Sequence, residues 1–398
     1  MKVLVINAGS SSLKYQVIDS ADEKMLCKGL IEKIGIAGSK LTHQTIGKDK
    51  LEIKEDLKNH TDALKIVINA LTDAEFGVIS NIKEIGAVGH RVLHSGEDFK
   101  DSVLITDEVI KICKKNSILG PLHMPANIAC IESCREVMPS VPMVAVFDTV
   151  FHSTMPDYAY MYAIPYEDYE NFKIRKYGFH GTSHKFVSGE ALKVLGTNKC
   201  RMITCHLGNG SSLAAVVDGK CIDTSMGLTP LEGLVMGTRS GDLDPACVEF
   251  LAKSHKINVS EVLDILNNKS GFLGIAGKSD FRDICNNANM GNKRALLALN
   301  MFAYRIKKYI GGYVAAMGGL DCIVFTGGIG ENSFCGREKI MDGLEFLGID
   351  FDYEKNLNVP RDEIVELSKK SSKVKVLVIP TNEELVIARD AVKLSKII

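Results

Sequence analysis

Tryptophan is absent from this chain and proline is scarce, with 10 in 398 residues, so no proline-rich linker marks a domain boundary. An excess of either charge is also missing. The 48 Lys and Arg balance 49 Asp and Glu to a net charge of -1, without the basic surplus of a nucleic-acid binder. No apolar run approaches the length that crosses a membrane. Met1-Lys2 leads into Val3–Ile6, too short for the apolar region of a signal peptide, and then into Asn7-Ala8-Gly9. There is no GxxxxGK[ST] phosphate loop and no clean GxGxxG after a first strand. What is present is ordinary globular material, 45% hydrophobic and 24% charged, which excludes global disorder. The length suits about two to three domains. The eleven cysteines are odd in number and irregularly spaced from Cys27 to Cys335. A disulfide framework belongs to small secreted chains with an even count, so these read as reduced thiols of a cytoplasmic protein. Cys130 and Cys134 are four apart and share a helix face, but no second Cys/His pair accompanies them in the sequence.

Val3–Ile6 reads as a buried strand, Asn7–Ser12 as a small-residue turn and Leu13–Ile18 as the returning strand. The phrase recurs 200 residues later. Met202–His206 is the strand, Leu207-Gly208-Asn209-Gly210-Ser211-Ser212 the tip and Leu213–Val217 the return. An internal repeat of this period implies two copies of one domain design. Arg294–Met317 carries Leu299, Phe302, Ile306, Ile310, Val314 and Met317 at helical steps, with Gly311-Gly312 expected to weaken it locally. Ile323–Thr326 is a strand leading to a glycine loop, Gly327–Asn332. Val374–Ile379 is another, leading through Thr381-Asn382 to a helix over Leu385–Leu394. Asp22–Ser80 is polar and less informative. The pattern is α/β in two related halves, with ligands expected at the carboxyl ends of strands.

Three Gly/Ser tips suit a polyphosphate, because glycine lets backbone N–H groups approach phosphate oxygens and hydroxyls add donors. Lys14 follows the first tip, where it can reach a phosphate. Charged groups also sit in apolar company. His90-Arg91-Val92-Leu93-His94 follows an Ile85–Val88 strand, and Phe147-Asp148-Thr149 follows Met143–Val146. Tyr177–His184 and Met236–Asp242 are glycine-flanked. Such groups at strand ends are costly unless paired or functional, with Asp148–Arg91 the simplest ion pair. His90/His94 and His180/His184 have the spacing of metal pairs but lack a third ligand in sequence. Asp280-Phe281-Arg282 suits a surface ion pair as well as a nucleotide contact.

The strings Asn7–Tyr15, Tyr177–His184, His206–Ser212, Thr224–Gly233 and Phe325–Asn332 closely resemble the acetate kinase family, within the acetate and sugar kinase/Hsp70/actin superfamily. The likeness spans essentially the whole chain. It implies an α/β fold of two duplicated RNase H-like (actin-like ATPase) domains, residues 1–150 plus 380–398 and residues 151–379, with a nucleotide cleft between them. It implies reversible in-line phosphoryl transfer from ATP to acetate, giving acetyl phosphate and ADP. By resemblance, Asn7 and Glu383 (with Glu384 adjacent) match positions for Mg2+, or Mn2+. Ser10, Ser12, Lys14, His206, Leu207, Gly208, Asn209, Gly210, Asp280, Phe281, Arg282, Gly328, Ile329, Gly330, Glu331 and Asn332 match ATP positions. Asp148 matches the catalytic acid, and His180 and Arg239 match stabilisers of the transferring phosphoryl group. Arg91 matches the acetate carboxylate contact, and Leu93, Leu122, Phe179 and Pro230 are candidates for the methyl pocket. A homodimer follows from the resemblance alone, and neither nucleic acid nor membrane is an expected partner. The chemistry agrees, because phosphoryl transfer asks mainly for positioning and charge stabilisation. A sugar kinase would need a base for its hydroxyl, and an ATP-driven assembly protein would not call for a clustered Arg91, His180 and Arg239.

Overall fold

Val3, Leu4, Val5 and Ile6 are all buried because both faces of their strand, β1 (Lys2–Ala8), are covered. The structure, a computed structural model, describes every residue except Leu122, Ile397 and Ile398. The chain divides into two units, Met1–Val150 with Asn382–Ile398, and Phe151–Thr381.

In the first unit β1 pairs antiparallel with β2 (Ser12–Asp19), continuing through β3 (Lys24–Glu32), β4 (Lys40–Thr45) and β5 (Lys50–Lys54). On its other side β1 pairs in parallel with β6 (Ile85–Val92). Then come β8 (Met143–Phe147), parallel, and β7 (Val103–Leu104), antiparallel at the edge. One face packs on helices His60–Thr72 and Met124–Val137. The terminal helix Glu383–Ser395 lies on β1, β6 and β8. Asn382 caps that helix, its side chain accepting from the Leu385 N–H.

Two readings are corrected here. β6 does not stop at Val88. It runs to Val92, so His90 and Arg91 lie inside the strand, paired opposite Ala145 and Val146. Gly89 breaks the apolar pattern because the terminal helix needs the space: a Cβ there would lie 2.4 Å from Ile387 Cγ2. The polar stretch Asp22–Ser80 also holds structure, since strands with one wet face alternate rather than run apolar.

The second unit repeats the plan. The β9 (Arg201–Leu207)/β10 (Ser211–Val217) hairpin pairs on to β11 (Lys220–Thr224). On the other side β9 lies parallel to β12 (Cys322–Thr326), then β14 (Lys375–Val378) and the short β13 (Val365–Glu366). The order β11-β10-β9-β12-β14 reproduces β3-β2-β1-β6-β8, strand for strand and direction for direction. Helix Lys293–Met317 covers one face and Gly181–Leu195 the other. Gly311 and Gly312 do not interrupt the former; both face solvent within a continuous helix. Gly327–Asn332 is a one-turn helix rather than a loop. Gly327 at φ +76° turns the chain beside the Leu207 backbone, where a Cβ would sit 2.8 Å from its carbonyl oxygen, and the helix starts there.

Candidate active-site groups

In the first unit Asn7 and Lys14 are cross-strand partners, so their side chains share one face. Both line a cavity of about 320 Å³ with Arg91, Glu383 and Glu384. The Arg91 guanidinium donates from Nε to Asp148 Oδ1 at 2.9 Å and Oδ2 at 3.1 Å, and from Nη2 to Oδ2 at 2.6 Å. Nη1 lies 3.8 Å from Glu383 Oε2. Burial alone would lower the Arg91 pKa, but Asp148 and then Glu383 more than offset it and hold the side chain charged. Arg91 keeps 24% of its side-chain surface and Asp148 only 2%, so the arginine presents an open edge while the carboxylate is spent holding it. Burial raises the Glu384 pKa. Glu383 Oε1 is buried without a hydrogen-bond partner. An orphaned carboxylate oxygen beside an amide oxygen is a donor set that fits a hard divalent cation. Ser10 is exposed at the tip and Ser12 half-buried, the turn closed by Gly9 N–H donating to Ser12 O at 2.8 Å.

In the second unit His180 adopts the left-handed conformation (φ 57°, ψ 24°) just before helix Gly181–Leu195. Such backbone in a non-glycine residue is uncommon and is held only by firm surroundings. The preceding Gly178 (φ +77°) is fixed by close packing, since a Cβ would meet Thr224 Cγ2 at 2.3 Å and His152 Cδ2 at 2.8 Å. His152 Nε2 donates to the Phe179 carbonyl at 2.9 Å. The His180 ring stacks on His206 with centroids 4.2 Å apart, and its Nδ1 is hydrogen-bonded to Ser212 Oγ at 2.9 Å. At the β9–β10 tip a Cβ on Gly210 would lie 3.3 Å from Arg239 Nη1 and 3.5 Å from His180 Nε2, so a guanidinium and an imidazole converge on bare backbone. Arg239 Nη1 donates to the Pro230 carbonyl at 3.2 Å, and burial lowers its pKa. Gly237 N–H donates to Asn209 O at 3.0 Å, tying the Arg239 segment to the tip. A guanidinium, an imidazole and N–H groups converging on an open glycine tip suit a phosphoryl group.

A model of the acetokinase family matches residues 2–389. The chain is similar to the acetate kinase of Thermoanaerobacter pseudethanolicus, 60% identical over 400 residues, 100% of this chain and 99% of that one. It is 58% identical over 399 residues to the acetate kinase of Treponema denticola, covering 100% of both. The chain belongs to the acetokinase family. The crystal structure of Porphyromonas gingivalis acetate kinase matches it at a TM-score of 0.95 and 45% identity, over 99% of each chain. That of a propionate kinase from Francisella tularensis matches at 0.92 and 42%, again over 99% of each.

Within this acetokinase-family fold, the remaining candidates land in different surroundings. His206 and Leu207 end β9, and Gly208 N–H donates to Gly210 O at 3.1 Å to close the tip. Asp280 caps helix Phe281–Asn289 and binds Arg282 at 2.6 Å on an exposed edge. The Phe281 ring packs in the core against Phe272 and Phe302. Gly328 and Asn332 sit in the one-turn helix after β12, Asn332 donating to the Gly328 carbonyl at 3.0 Å. Ile329 is half-buried against the core and Gly330 is buried. Glu331 Oε1 accepts from Gly327 N–H, Thr381 N–H and the Thr326 hydroxyl, so that carboxylate fastens the chain. Leu93 is half-buried against the Met124 cluster, Phe179 is buried and Pro230 half-buried; Leu122 lies outside the described residues. The paired histidines do not form sites of their own: both His184 nitrogens are taken by Thr204 and Ser212, and His94 Nδ1 accepts from Gly96 N–H.

Three positioning residues escaped the sequence. Asn127 accepts from Leu93 N–H at 3.0 Å and donates to Ala8 O at 2.7 Å, joining the Arg91 strand to the Asn7 strand. Arg337, only 2% exposed, donates to the Gly330 and Glu331 carbonyls and to Asn356. His152 holds the Phe179 carbonyl. All three bind backbone, and no motif in a single sequence marks such a role.

Proposed function

We propose that the protein catalyses reversible, Mg2+-dependent, in-line transfer of the γ-phosphoryl group of ATP to acetate, giving acetyl phosphate and ADP. The observation that carries this reading is Arg91. One edge of its guanidinium is locked by a buried carboxylate and the other opens into a cavity, the arrangement that suits paired donation to an acceptor carboxylate. An acetate oxygen attacks phosphorus, and the β–γ bridging oxygen leaves with ADP. Acetate is already ionised near neutrality, so no base is needed, and Asp148 acts by positioning Arg91. His180 and Arg239 stabilise charge on the transferring group, and Asn209 and Gly210 at the tip offer backbone N–H groups to the nucleotide phosphates. Lys14 adds a phosphate contact from the first unit. Asn7 and Glu383 would hold Mg2+, or Mn2+, which when bound offsets phosphate charge.

We further propose a cytoplasmic homodimer. Eleven free thiols suit a reducing compartment, and among the described residues no helix is long and apolar enough to cross a membrane. The acyl pocket is assigned to Leu93, Leu122, Phe179 and Pro230. The test is hydroxylamine trapping of the acyl phosphate formed from acetate, propionate or butyrate with ATP and Mg2+. Acetate should lead propionate by roughly ten- to two-hundredfold at most, since one methylene discriminates by about 1–3 kcal/mol. Leu93→Ala should lower the propionate KM. Absence of acetyl phosphate would overturn the function, and an unchanged acid ratio in Leu93→Ala would remove Leu93 from the pocket.

A further inference from the structure

Cys130 and Cys134 lie one turn apart on helix Met124–Val137, facing the sheet of the first unit. The sequence shows no third ligand beside them, but the fold supplies one. β6 brings His90 beneath the helix, and a ring nitrogen of His90 and both sulfurs lie within 4.8 Å of one another. All three side chains are buried, at 2%, 1% and 0% exposure, and His90 Nε2 has no hydrogen-bond partner.

We propose that His90, Cys130 and Cys134 form a binding site for one thiophilic metal ion of the Zn2+ class. Zn–S bonds of about 2.3 Å and Zn–N bonds of about 2.0–2.1 Å put tetrahedral donors roughly 3.5–3.8 Å apart, so from separations within 4.8 Å the cluster need contract by about 1.3 Å at most. Two thiolates and an imidazole are soft donors that prefer Zn2+ or Cu(I) to Mg2+, which separates this site from Asn7 and Glu383. Three protein donors leave the fourth tetrahedral position to an exogenous ligand. Binding displaces both thiol protons to solvent, while the neutral imidazole contributes a lone pair. The ion would pin the helix to β6 at the residue before Arg91. The same helix carries Asn127, so the site positions the acetate-facing strand without touching substrate.

The test uses reduced full-length protein in which the exposed Cys247 is replaced, Cys247→Ser, to remove a surface thiol. Excess Mg2+ is kept present to occupy hard-donor sites. Titration with Co2+ should give a thiolate-to-cobalt charge-transfer band saturating at about one ion per chain, displaced by Zn2+, and Zn2+ should raise the melting temperature. Cys130→Ser or Cys134→Ser should weaken Co2+ binding by more than the roughly 10–100-fold lost with an outer-shell partner. Cys113→Ser, a buried thiol in a different cluster, should leave binding unchanged. If the serine variants do not fold, the parent titration decides alone: no thiolate band at saturating Co2+ overturns the proposal, as does a band that survives in folded Cys130→Ser/Cys134→Ser protein.

Discussion

Removing Arg91 would take away the proposed acetate contact and also strand Asp148, which is 2% exposed and holds Arg91 through contacts of 2.6–3.1 Å. Arg91→Ala should therefore lower kcat by about a hundred- to thousandfold, the range for one lost charge-stabilising donor. It should also cost about 3 kcal/mol of stability through the unpaired buried charge. Adding Asp148→Asn should restore the melting temperature and leave turnover low. Near-normal kcat in folded Arg91→Ala protein would remove Arg91 from the reaction. Residues of this kind were legible because they combine a charge with a strand end or a glycine neighbour. Asn127, Arg337 and His152 were not. Asn127 reaches Ala8 across 119 positions, and its partner is a carbonyl that every residue carries.

The terminal helix depends on the absence of a side chain at Gly89. Gly89→Ala should push against Ile387 Cγ2, 2.4 Å from the new Cβ, and lift the helix that begins at Glu383. Overpacking of this sort costs about 1–3 kcal/mol. The half-saturating Mg2+ concentration should rise in the same variant, and an unchanged Mg2+ titration would separate Glu383 from the metal. The long helix Lys293–Met317 offers the opposite case. Gly311 and Gly312 are exposed, and a Cβ on either meets nothing within 4 Å. Gly311→Ala and Gly312→Ala should each stabilise by about 0.5–1 kcal/mol, read as a higher melting temperature; a lower one would show that the helix needs its glycines. The duplicated hairpins were readable because strand and tip recur together. β3–β5 were hidden by their wet face. The Gly327–Asn332 turn was hidden because glycines that close a helix onto a neighbouring strand look the same in sequence as glycines of an open loop.

Across the whole chain, two buried histidines make stability pH-dependent between neutrality and about pH 4. His152 is fully buried, and burial pushes its pKa from 6.5 down to about 4; burial also holds His184 well below its ordinary value. With the folded pKa depressed, the unfolded chain binds protons first as pH falls. The stability is thus complete above about pH 6.5 and is lost between there and pH 4, by up to about 3 kcal/mol for His152 alone. Denaturant melts across that window should show the loss, and His152→Gln should flatten it; equal slopes in the two proteins would exclude His152. The duplicated architecture, the buried arginines Arg91 and Arg239, one on each unit, and the family membership meet in one claim, phosphoryl transfer to a carboxylate. The most direct test is ADP release from ATP and Mg2+, followed with and without acetate. Release should depend on acetate, with acetyl phosphate formed one for one and glycerol or glucose without effect. ADP release that proceeds equally without acetate, or that a polyol drives as well, would contradict it.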